Sequence, residues 1–324
     1  MAGLKEQAGN FFKGFAMGAA NVIPGVSGGT IALITGIFER LIDSLKSFDL
    51  QAIKLFFKGK FKEFAKHTDF VFLFFVLLGA ALSIVSLAKL LTFLFDNYPI
   101  FIWSFFFGLI LASVWAVGKT IEKWNLPVII SFIVGTGIAV VITILNPATE
   151  NDSFIYLFIS GIVAICSMIL PGLSGSFVLV LMGEYELILK AVDEFNFSLL
   201  IPVVIGAVVG LLAFAHLLSW LYKKFKNQTI ALLTGFILGS LAILWPWKHS
   251  FDKDGILMQT DKFGKLLVEG DVKVFGYERF MPTIDTVLIL AIVLAVVGFF
   301  SIWILEKTAS KKEKTEENIQ KTFH

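Results

Sequence analysis

The sequence predicts an all-α integral membrane protein: a polytopic helical bundle of two inverted-topology repeats, with re-entrant-type helices broken by proline and glycine. Three observations predict this fold class. Apolar residues make up 57% of the 324 residues and charged residues only 16%, whereas a soluble domain carries about a quarter charged residues. Several segments of about 18–22 residues hold almost no charge, which is the length that a helix needs to cross a bilayer. A phrase rich in proline, glycine and serine occurs twice.

The same composition excludes several classes of protein. The apolar surplus is too large for a water-soluble enzyme, whose surface needs polar cover. The formal net charge of +2 is small, and the basic residues cluster in loops, which excludes a nucleic-acid partner. Cys166 is the single cysteine, so a disulfide scaffold or a cysteine-rich metal site is excluded. We expect no cofactor, no metal and no cleavable secretory signal.

Seven segments are predicted to cross the membrane because each is apolar over a length close to the thickness of the hydrocarbon core. They are residues 70–91, 99–117, 127–145, 154–170, 199–222, 229–245 and 287–304. Two further apolar stretches, 11–23 and 27–41, are interrupted by Pro24 and Gly25. The first of them is too short to cross alone at about 1.5 Å per residue. We therefore predict broken helices at this place.

Charged residues in the loops predict one orientation. Loop 46–69 holds six lysines against three acids, and the turn at 223–227 holds three lysines and no acid. The turn at 146–153 holds two acids and no base. The positive-inside rule places the two lysine-rich segments in the cytoplasm and the acidic turn outside. Both termini are then expected in the cytoplasm, and the long loop 246–285 is expected outside.

Lysines recur every four residues within loop 46–69, at Lys54, Lys58, Lys62 and Lys66, close to phenylalanines. This spacing favours a basic amphipathic helix that lies on the anionic inner leaflet of the membrane. A solvated charged linker is the alternative interpretation.

The repeated phrase is the most informative feature of the chain. Residues 21–39 have the sequence NVIPGVSGGTIALITGIFE, and residues 168–186 have the sequence MILPGLSGSFVLVLMGEYE. The matched residues are Pro24 with Pro171, Gly25 with Gly172, Ser27 with Ser174, Gly28 with Gly175, Gly36 with Gly183, and Glu39 with Glu186. A second pair, GLILAS at 108–113 and GFILGS at 235–240, follows in the same order. Two ordered matches predict two homologous halves.

Three predicted spans separate the two phrases, and this odd number places the second phrase on the opposite face of the membrane. The halves are therefore predicted to be inverted repeats, an arrangement common in secondary transporters. The predicted boundaries are 1–148 for the first repeat and 149–306 for the second, followed by a charged cytoplasmic tail at 307–324.

Each phrase predicts a helix N-terminus inside or near the membrane. Proline cannot continue a helix, and Ser27 and Ser174 are suitable N-caps for the apolar helices that follow. The free N–H groups and the positive dipole end of such a terminus bind anions. Small residues beside the serines let a ligand approach the backbone; they are Gly28, Gly29, Gly175 and Ser176. The phrases therefore predict a site for a phosphate or carboxylate, with a tight turn between packed helices as the alternative.

With these residues the chain resembles the bacterial polyprenyl-phosphate transporter family. The resemblance rests on GAANVIPGVSGGTIALITGIFERL, on LPGLSGSFVLVLMGEYE and on GLILAS, and it covers most of residues 10–305. It implies a flippase of the bacterial cytoplasmic membrane that returns the lipid carrier undecaprenyl phosphate to the inner leaflet for reuse in cell-wall synthesis. The two phrases would then bind its phosphate head group.

The resemblance also implies site residues. The family's motif falls here on Pro24, Gly25, Ser27, Gly28, Gly29 and Thr30, and in the second copy on Pro171, Gly172, Ser174, Gly175 and Ser176. The second copy has Ser176 and Phe177 where the first has Gly29 and Thr30. We therefore expect two unequal half-sites, of which the first dominates head-group binding.

Three charged residues beyond the serines have two interpretations. Glu39 and Glu186 stand at matched positions, and Arg40 follows the first of them. They mark where the broken helices leave the membrane, or they take part in proton coupling or head-group capture.

Two other functions are alternatives to lipid transport. A channel or secondary transporter for a small soluble anion is the alternative, because broken helices with serine and glycine suit that cargo as well. A membrane phosphatase is disfavoured because the four histidines are scattered, and because neither a metal-binding motif nor an ATP-binding loop motif occurs. The sequence leaves a homo-oligomer open.

Overall fold

Helices account for nearly all of the secondary structure in the computed structural model, which describes residues 2–21, 27–145, 148–251, 255–267 and 276–322. The helices are α1 Ala2–Asn21, α2 Gly28–Ile34, α3 Phe38–Lys46, α4 Leu50–Phe57, α5 Phe61–His67, α6 Phe70–Asn97, α7 Pro99–Gly118, α8 Leu126–Ile144, α9 Phe154–Ile169, α10 Gly175–Leu181, α11 Tyr185–Asp193, α12 Phe197–Lys224, α13 Lys226–Leu244 and α14 Thr286–Thr322. Pro24 and Gly25 of the first phrase lie outside the described residues.

Six of the described helices are long and apolar enough to cross a bilayer: α6, α7, α8, α12, α13 and the first part of α14. The seventh predicted span, α9, is shorter at 16 residues. Large apolar side chains such as Leu77, Ile133 and Val204 are exposed on these helices, as expected where lipid is the solvent. The helices are those of a polytopic helical membrane protein, which confirms the predicted fold class at this level. α14 also continues through most of the predicted tail.

The lysine-rich loop 46–69 forms two short helices instead of the single predicted amphipathic helix. Asp49 caps the start of α4 by accepting a hydrogen bond from a backbone N–H over 2.9 Å. α4 ends because Gly59 adopts a left-handed conformation with φ of +70°, which glycine tolerates and which stops an α-helix. Phe57 and Phe61, on either side of this break, are exposed. Apolar and basic side chains are therefore adjacent on both helices.

The long loop 246–285, which is predicted to lie outside, contains a small antiparallel sheet that the all-α prediction did not include. Its strands are β1 Lys248–Phe251 and β2 Gly276–Arg279, with Lys248 directly opposite Arg279. Each strand has only four residues, too few for a period-two pattern to identify them in the sequence.

The order and length of helices recur in the two predicted repeats. The short helices α2 and α10 each have seven residues, and the helices that follow, α3 and α11, each have nine. Gly36 and Gly183 separate these helices in left-handed conformations, with φ of +71° and +78°. The first long spans, α6 and α12, each have 28 residues. The two halves differ at one place: α4 and α5 lie between α3 and α6 in the first half, whereas α12 directly follows α11 in the second.

Close backbone contacts also recur at equivalent positions. In each half, two glycines lie so near to carbonyl oxygens of a facing helix that a methyl group would overlap them. These pairs are Gly14 with Val76 and Gly79 with Phe11 between α1 and α6, and Gly161 with Val203 and Gly206 with Phe158 between α9 and α12. The same relation joins Gly135 with Leu232 and Gly235 with Phe132 between α8 and α13, and Gly298 with Phe105 and Gly108 with Ala295 between α7 and α14. Small residues thus let these helices approach closely.

The contacts divide the chain into two compact units: Met1–Val85 with Val117–Ser240, and Ser86–Ala116 with Leu241–His324. Each unit takes residues from both predicted repeats. Both repeated phrases belong to the first unit, and the small sheet belongs to the second. The division into repeats at residues 148 and 306 stays a prediction.

Candidate functional site

The first phrase forms the start of α2, and the first backbone donors of this helix are satisfied within the phrase. Ser27 is extended (φ −119°, ψ 139°), and its side-chain oxygen accepts a hydrogen bond from the Gly29 N–H over 3.1 Å. The side-chain oxygen of Asn21 accepts the Gly28 N–H over 2.7 Å. The Thr30 N–H donates to the Ser27 carbonyl oxygen over 2.9 Å. The predicted N-cap at Ser27 is confirmed, and the first three N–H groups of α2 all have internal acceptors.

The second phrase has a similar backbone but different hydrogen bonds. Ser174 precedes α10 in an extended conformation (φ −108°, ψ 130°), yet its side chain makes no capping hydrogen bond. Its hydroxyl instead lies 2.8 Å from the hydroxyl of Ser176. Within the described part of the chain, the N–H groups of Gly175, Ser176 and Phe177 have no hydrogen-bond acceptor. Ser174 therefore occupies the predicted N-cap position without forming the predicted cap.

One difference between the phrases accounts for the missing acceptor of the Gly175 N–H. The place of Asn21 is taken in the second phrase by Met168, whose thioether is at most a weak acceptor. The two side chains lie at the same place in the turn, because a methyl group at Gly28 would contact the Asn21 amide and one at Gly175 would contact Met168. The Gly175 N–H of the second phrase consequently lacks the internal acceptor that the Gly28 N–H of the first phrase has.

The two phrases are in direct contact with each other. The Ser27 hydroxyl donates a hydrogen bond to the carbonyl oxygen of Met168 over 3.2 Å. In the other direction, the Gly172 N–H donates to the Thr30 hydroxyl oxygen over 3.2 Å. Two halves of the candidate site that are far apart in sequence are thus joined by reciprocal hydrogen bonds.

Burial distinguishes the hydroxyl groups of the two phrases. Ser27 is 2% exposed and Thr30 is fully buried, and both hydroxyls already hold protein partners. Ser174 is half-buried and Ser176 is exposed. Accessibility therefore favours the second phrase, whereas the sequence led us to expect that the first would dominate ligand binding.

Two glycines of the phrases are required by the protein backbone itself. A methyl group at Gly29 would lie 2.6 Å from the carbonyl oxygen of Ile169. Gly172 has φ of +83°, and a methyl group there would lie 2.6 Å from the carbonyl oxygen of Phe236. The close approach that we predicted for a ligand is, at Gly29, an approach of neighbouring backbone.

The predicted coupling residues lie on the helices that follow. Arg40 in α3 donates to both carboxylate oxygens of Asp69 over 2.5 and 3.1 Å and to Glu6 over 2.8 Å. Its guanidinium also lies 4.3 Å from the centre of the Phe72 ring. Arg40 therefore connects α3 to α1 and to the start of α6. Glu39 and Glu186 are exposed at matched positions of α3 and α11.

Sequence reasoning missed an ionic contact beside Glu39. Asp43 in α3 accepts hydrogen bonds from Ser219 and Lys223 of α12, each over 2.7 Å. Burial raises the pKa of the Asp43 carboxyl, but these hydrogen bonds outweigh it, and the net pKa is lowered. Glu39 and Asp43 both line a small cleft between α3 and α12. The partners are 176 positions or more apart in sequence, so no local pattern indicates them.

Glu184, between α10 and α11, was also missed. Its side chain is fully buried. One carboxyl oxygen accepts the Asn151 N–H over 2.8 Å, and the other has no partner among the described residues. Burial raises the pKa of Glu184, and the nearby carboxylates of Glu150 and Asp152 raise it further. The signal in the sequence is an acid at a place where the first phrase has apolar Ile37.

The described residues contain no group of three or more histidine, cysteine, aspartate or glutamate side chains that could hold a metal ion.

Comparison with known proteins decides the family. The family described as undecaprenyl phosphate translocase-like matches residues 17–258. The chain belongs to this family. A protein of Vibrio cholerae serotype O1 named polyprenyl-phosphate transporter is 45% identical over 240 residues, which are 74% of this chain and 78% of the relative. A Staphylococcus aureus protein of the same name is 31% identical over 255 residues, 73% of this chain and 86% of the relative.

The family confirms the resemblance that the two phrases indicated. Its description and the names of its relatives denote transporters and not enzymes. Together with the six apolar helices, this family membership indicates a multi-pass membrane protein. No solved structure gives a significant match to the chain.

Proposed function

We propose that the protein is a flippase that carries polyprenyl phosphate, such as undecaprenyl phosphate, across the bacterial cytoplasmic membrane and returns it to the inner leaflet. The observation that carries the proposal is the reciprocal contact between the two phrases, in which Ser27 bonds to Met168 and Gly172 bonds to Thr30. Relatives that are named polyprenyl-phosphate transporters support this cargo. A lipid phosphate needs polar contacts only for its head group, since its prenyl chain can stay in the bilayer.

The second phrase is the proposed contact for the head group. A phosphate monoester presents several oxygen acceptors, which match the paired hydroxyls of Ser174 and Ser176 and the N–H groups of residues 175–177. The first phrase has a supporting role, because its hydroxyls and N–H groups are already bonded within the protein. Gly28, Gly29 and Thr30 then hold the second phrase in position, and Gly25 lies outside the described residues.

Inverted repeats support a mechanism of alternating access. The recurring glycine contacts and helix lengths support two homologous halves, and the odd number of spans between the phrases supports their inversion. In this proposal the paired short helices α2 and α10 are re-entrant elements that face the two leaflets in turn. Both termini lie in the cytoplasm, and the lysines of α4 and α5 lie on the anionic inner leaflet.

Transport of a fluorescent polyprenyl phosphate between leaflets of proteoliposomes tests the proposal. We expect the double variant Ser174→Ala/Ser176→Ala to slow transport by about tenfold or more, because hydrogen bonds to a charged group are worth about 1.5–3 kcal/mol each. The matched control is Ser131→Ala/Ser301→Ala, since both of those hydroxyls donate to carbonyl oxygens of their own helices.

Three outcomes separate the possible functions. Loss of transport in the first double variant alone supports the head-group site. Equal transport in both double variants contradicts this head-group site but does not contradict the proposed cargo. Uptake of orthophosphate into the vesicles without any movement of the lipid would favour a transporter for small anions instead.

A further inference from the structure

The small sheet of the outer loop places two cations side by side. β1 and β2 are antiparallel, and Lys248 stands directly opposite Arg279. Side chains at directly opposite positions lie on the same face of a sheet, and like charges there destabilise the pair. By contrast, the neighbouring position pairs His249 with the acid Glu278. The Lys248–Arg279 pair is therefore an arrangement that costs the hairpin stability on its own.

The two cations are held by carbonyl oxygens and aromatic rings. The Lys248 ammonium donates to the carbonyl oxygen of Ile243 in the last turn of α13 and lies 4.2 Å from the centre of the Trp103 ring. The Arg279 Nε donates to the carbonyl oxygen of Ala242 over 2.8 Å. Among the described residues, neither cation forms an ion pair with a carboxylate. These contacts fix the positions of two charges without neutralising either of them.

Helix capping explains only part of this arrangement. Cations near the end of a helix are stabilised by its last carbonyl groups, and α13 ends at Leu244. One donor from each side chain makes such a contact. The remaining donors of the Lys248 ammonium and the terminal nitrogens of the Arg279 guanidinium have no acceptor among the described residues.

The environment makes the Lys248 charge dependent on an anion. Burial, with the Arg279 charge as a second cause, lowers the pKa of Lys248 to about 7. An anion between the two side chains would offset both effects, because it replaces lost solvation and screens the repulsion. A guanidinium and an ammonium together match a phosphate, which accepts a two-pronged contact from arginine and a point charge from lysine. The Trp103 and Tyr277 rings beside the ammonium supply apolar surface for the first prenyl unit.

We propose that Lys248 and Arg279 form a binding site for the phosphate monoester of a prenyl lipid. The identity of this ligand rests on the proposed function, and the loop that carries the pair is the one predicted to lie outside the membrane. The site is built from other residues than the Ser174–Ser176 pair and captures the head group before translocation. Its loss lowers the apparent affinity for the lipid, whereas loss of the serines lowers the maximal rate.

Binding of farnesyl phosphate to the detergent-solubilised full chain tests the site directly. We expect Lys248→Gln and Arg279→Gln each to weaken binding by about tenfold, because each variant removes one charge-assisted contact to the phosphate. Lys248→Arg keeps both charges and should retain most of the affinity, which separates loss of charge from loss of folding. The control Lys262→Gln removes another lysine of the same loop, one that also lies over an aromatic ring, and should bind as the natural sequence does.

The probe set distinguishes the chemistry of the ligand. Farnesol lacks the phosphate and should not compete, whereas orthophosphate should compete weakly because it lacks the prenyl chain. Orthophosphate that binds as tightly as farnesyl phosphate would overturn the lipid part of the proposal. Unchanged farnesyl phosphate affinity in both glutamine variants would overturn the site itself.

Transport measured over a range of lipid concentrations separates this site from the proposed function. If the natural protein moves the lipid, we expect Lys248→Gln/Arg279→Gln to raise the half-saturating concentration by more than tenfold without changing the maximal rate. Identical saturation curves would contradict the site and leave the flippase proposal intact. If the natural protein moves no lipid but the charge-dependent binding persists, the flippase proposal fails and the anion site stands.

Discussion

The Ser27 hydroxyl donates a hydrogen bond to the carbonyl oxygen of Met168 over 3.2 Å, although 141 positions separate the two residues. Met168 lies in the last turn of α9, where carbonyl oxygens have no acceptor role within the helix itself. The same serine accepts the Gly29 N–H. The buried Ser27 side chain thus accepts a backbone N–H at the start of α2 and donates to a carbonyl oxygen at the end of α9. A displacement of α2 relative to α9 would break this bond.

The bond from Gly172 to Thr30 gives the first prediction. Replacing Thr30 by valine keeps the shape of the side chain but removes the acceptor for the Gly172 N–H, which is buried. An unsatisfied buried donor costs about 1–3 kcal/mol, and we expect the free energy of unfolding in detergent to fall by that amount. The control is Thr35→Val, because the Thr35 hydroxyl donates to a carbonyl of its own helix. Equal losses in the two variants would contradict a special role for the contact between phrases.

The difference between Asn21 and Met168 gives the second prediction. Met168→Asn places an amide oxygen where the first phrase has one, and it should accept the Gly175 N–H as Asn21 accepts that of Gly28. Because this N–H is then no longer available to a phosphate, we expect slower transport of polyprenyl phosphate together with unchanged or higher thermal stability. Met168→Leu adds no acceptor and should transport normally. Normal transport by the asparagine variant would argue against backbone donors of α10 in head-group binding.

The sequence allowed the spans and the start of α2 to be predicted, because apolar length and the capping preference of Ser27 are local properties. It did not allow the state of Ser174 to be predicted, because its hydroxyl can meet either a backbone N–H or the Ser176 hydroxyl, and the folded chain selects the second. The helix break between α4 and α5 depends on the left-handed conformation of Gly59. The four-residue spacing of the lysines, by contrast, is typical of one continuous helix. Contacts such as that of Asp43 with Lys223 depend on tertiary packing, which no single segment encodes.

The recurring glycine contacts give the third prediction. A methyl group at Gly206 would overlap the carbonyl oxygen of Phe158, so Gly206→Ala requires α9 and α12 to move apart. Overpacking of this kind costs about 1–3 kcal/mol, measured as the free energy of unfolding in detergent. The control is Gly137→Ala in α8, where a methyl group meets nothing within 4 Å. That variant should be neutral or stabilising by about 0.5–1 kcal/mol, because alanine favours the helix more than glycine does.

A loss of stability in Gly137→Ala as large as that in Gly206→Ala would show that the methyl group acts through the unfolded or lipid-exposed state. In that case, close packing of the helix pair would not be the reason for the glycine.

The buried Glu184 carboxyl gives the fourth prediction, a dependence of stability on pH. Its pKa is raised above the ordinary value of 4.5, first by burial and then by the neighbouring carboxylates. A raised pKa means that the folded state binds the proton more tightly than the unfolded state does. The resulting stability is fully present below pH 4.5 and is lost as the pH rises through the folded-state pKa of the group. We therefore expect the unfolding temperature in detergent to fall over this range.

Glu184→Gln isolates this contribution because the amide is neutral at every pH. The variant should lack the fall in unfolding temperature that Glu184 causes, and at pH 8 it should be more stable than the natural protein. Glu194→Gln, at the other end of α11, is the matched control and should keep the natural slope because the Glu184 carboxyl is unchanged. If Glu184→Gln followed the natural pH profile, the carboxyl would be charged in the folded protein, and its second oxygen would have to hold a partner.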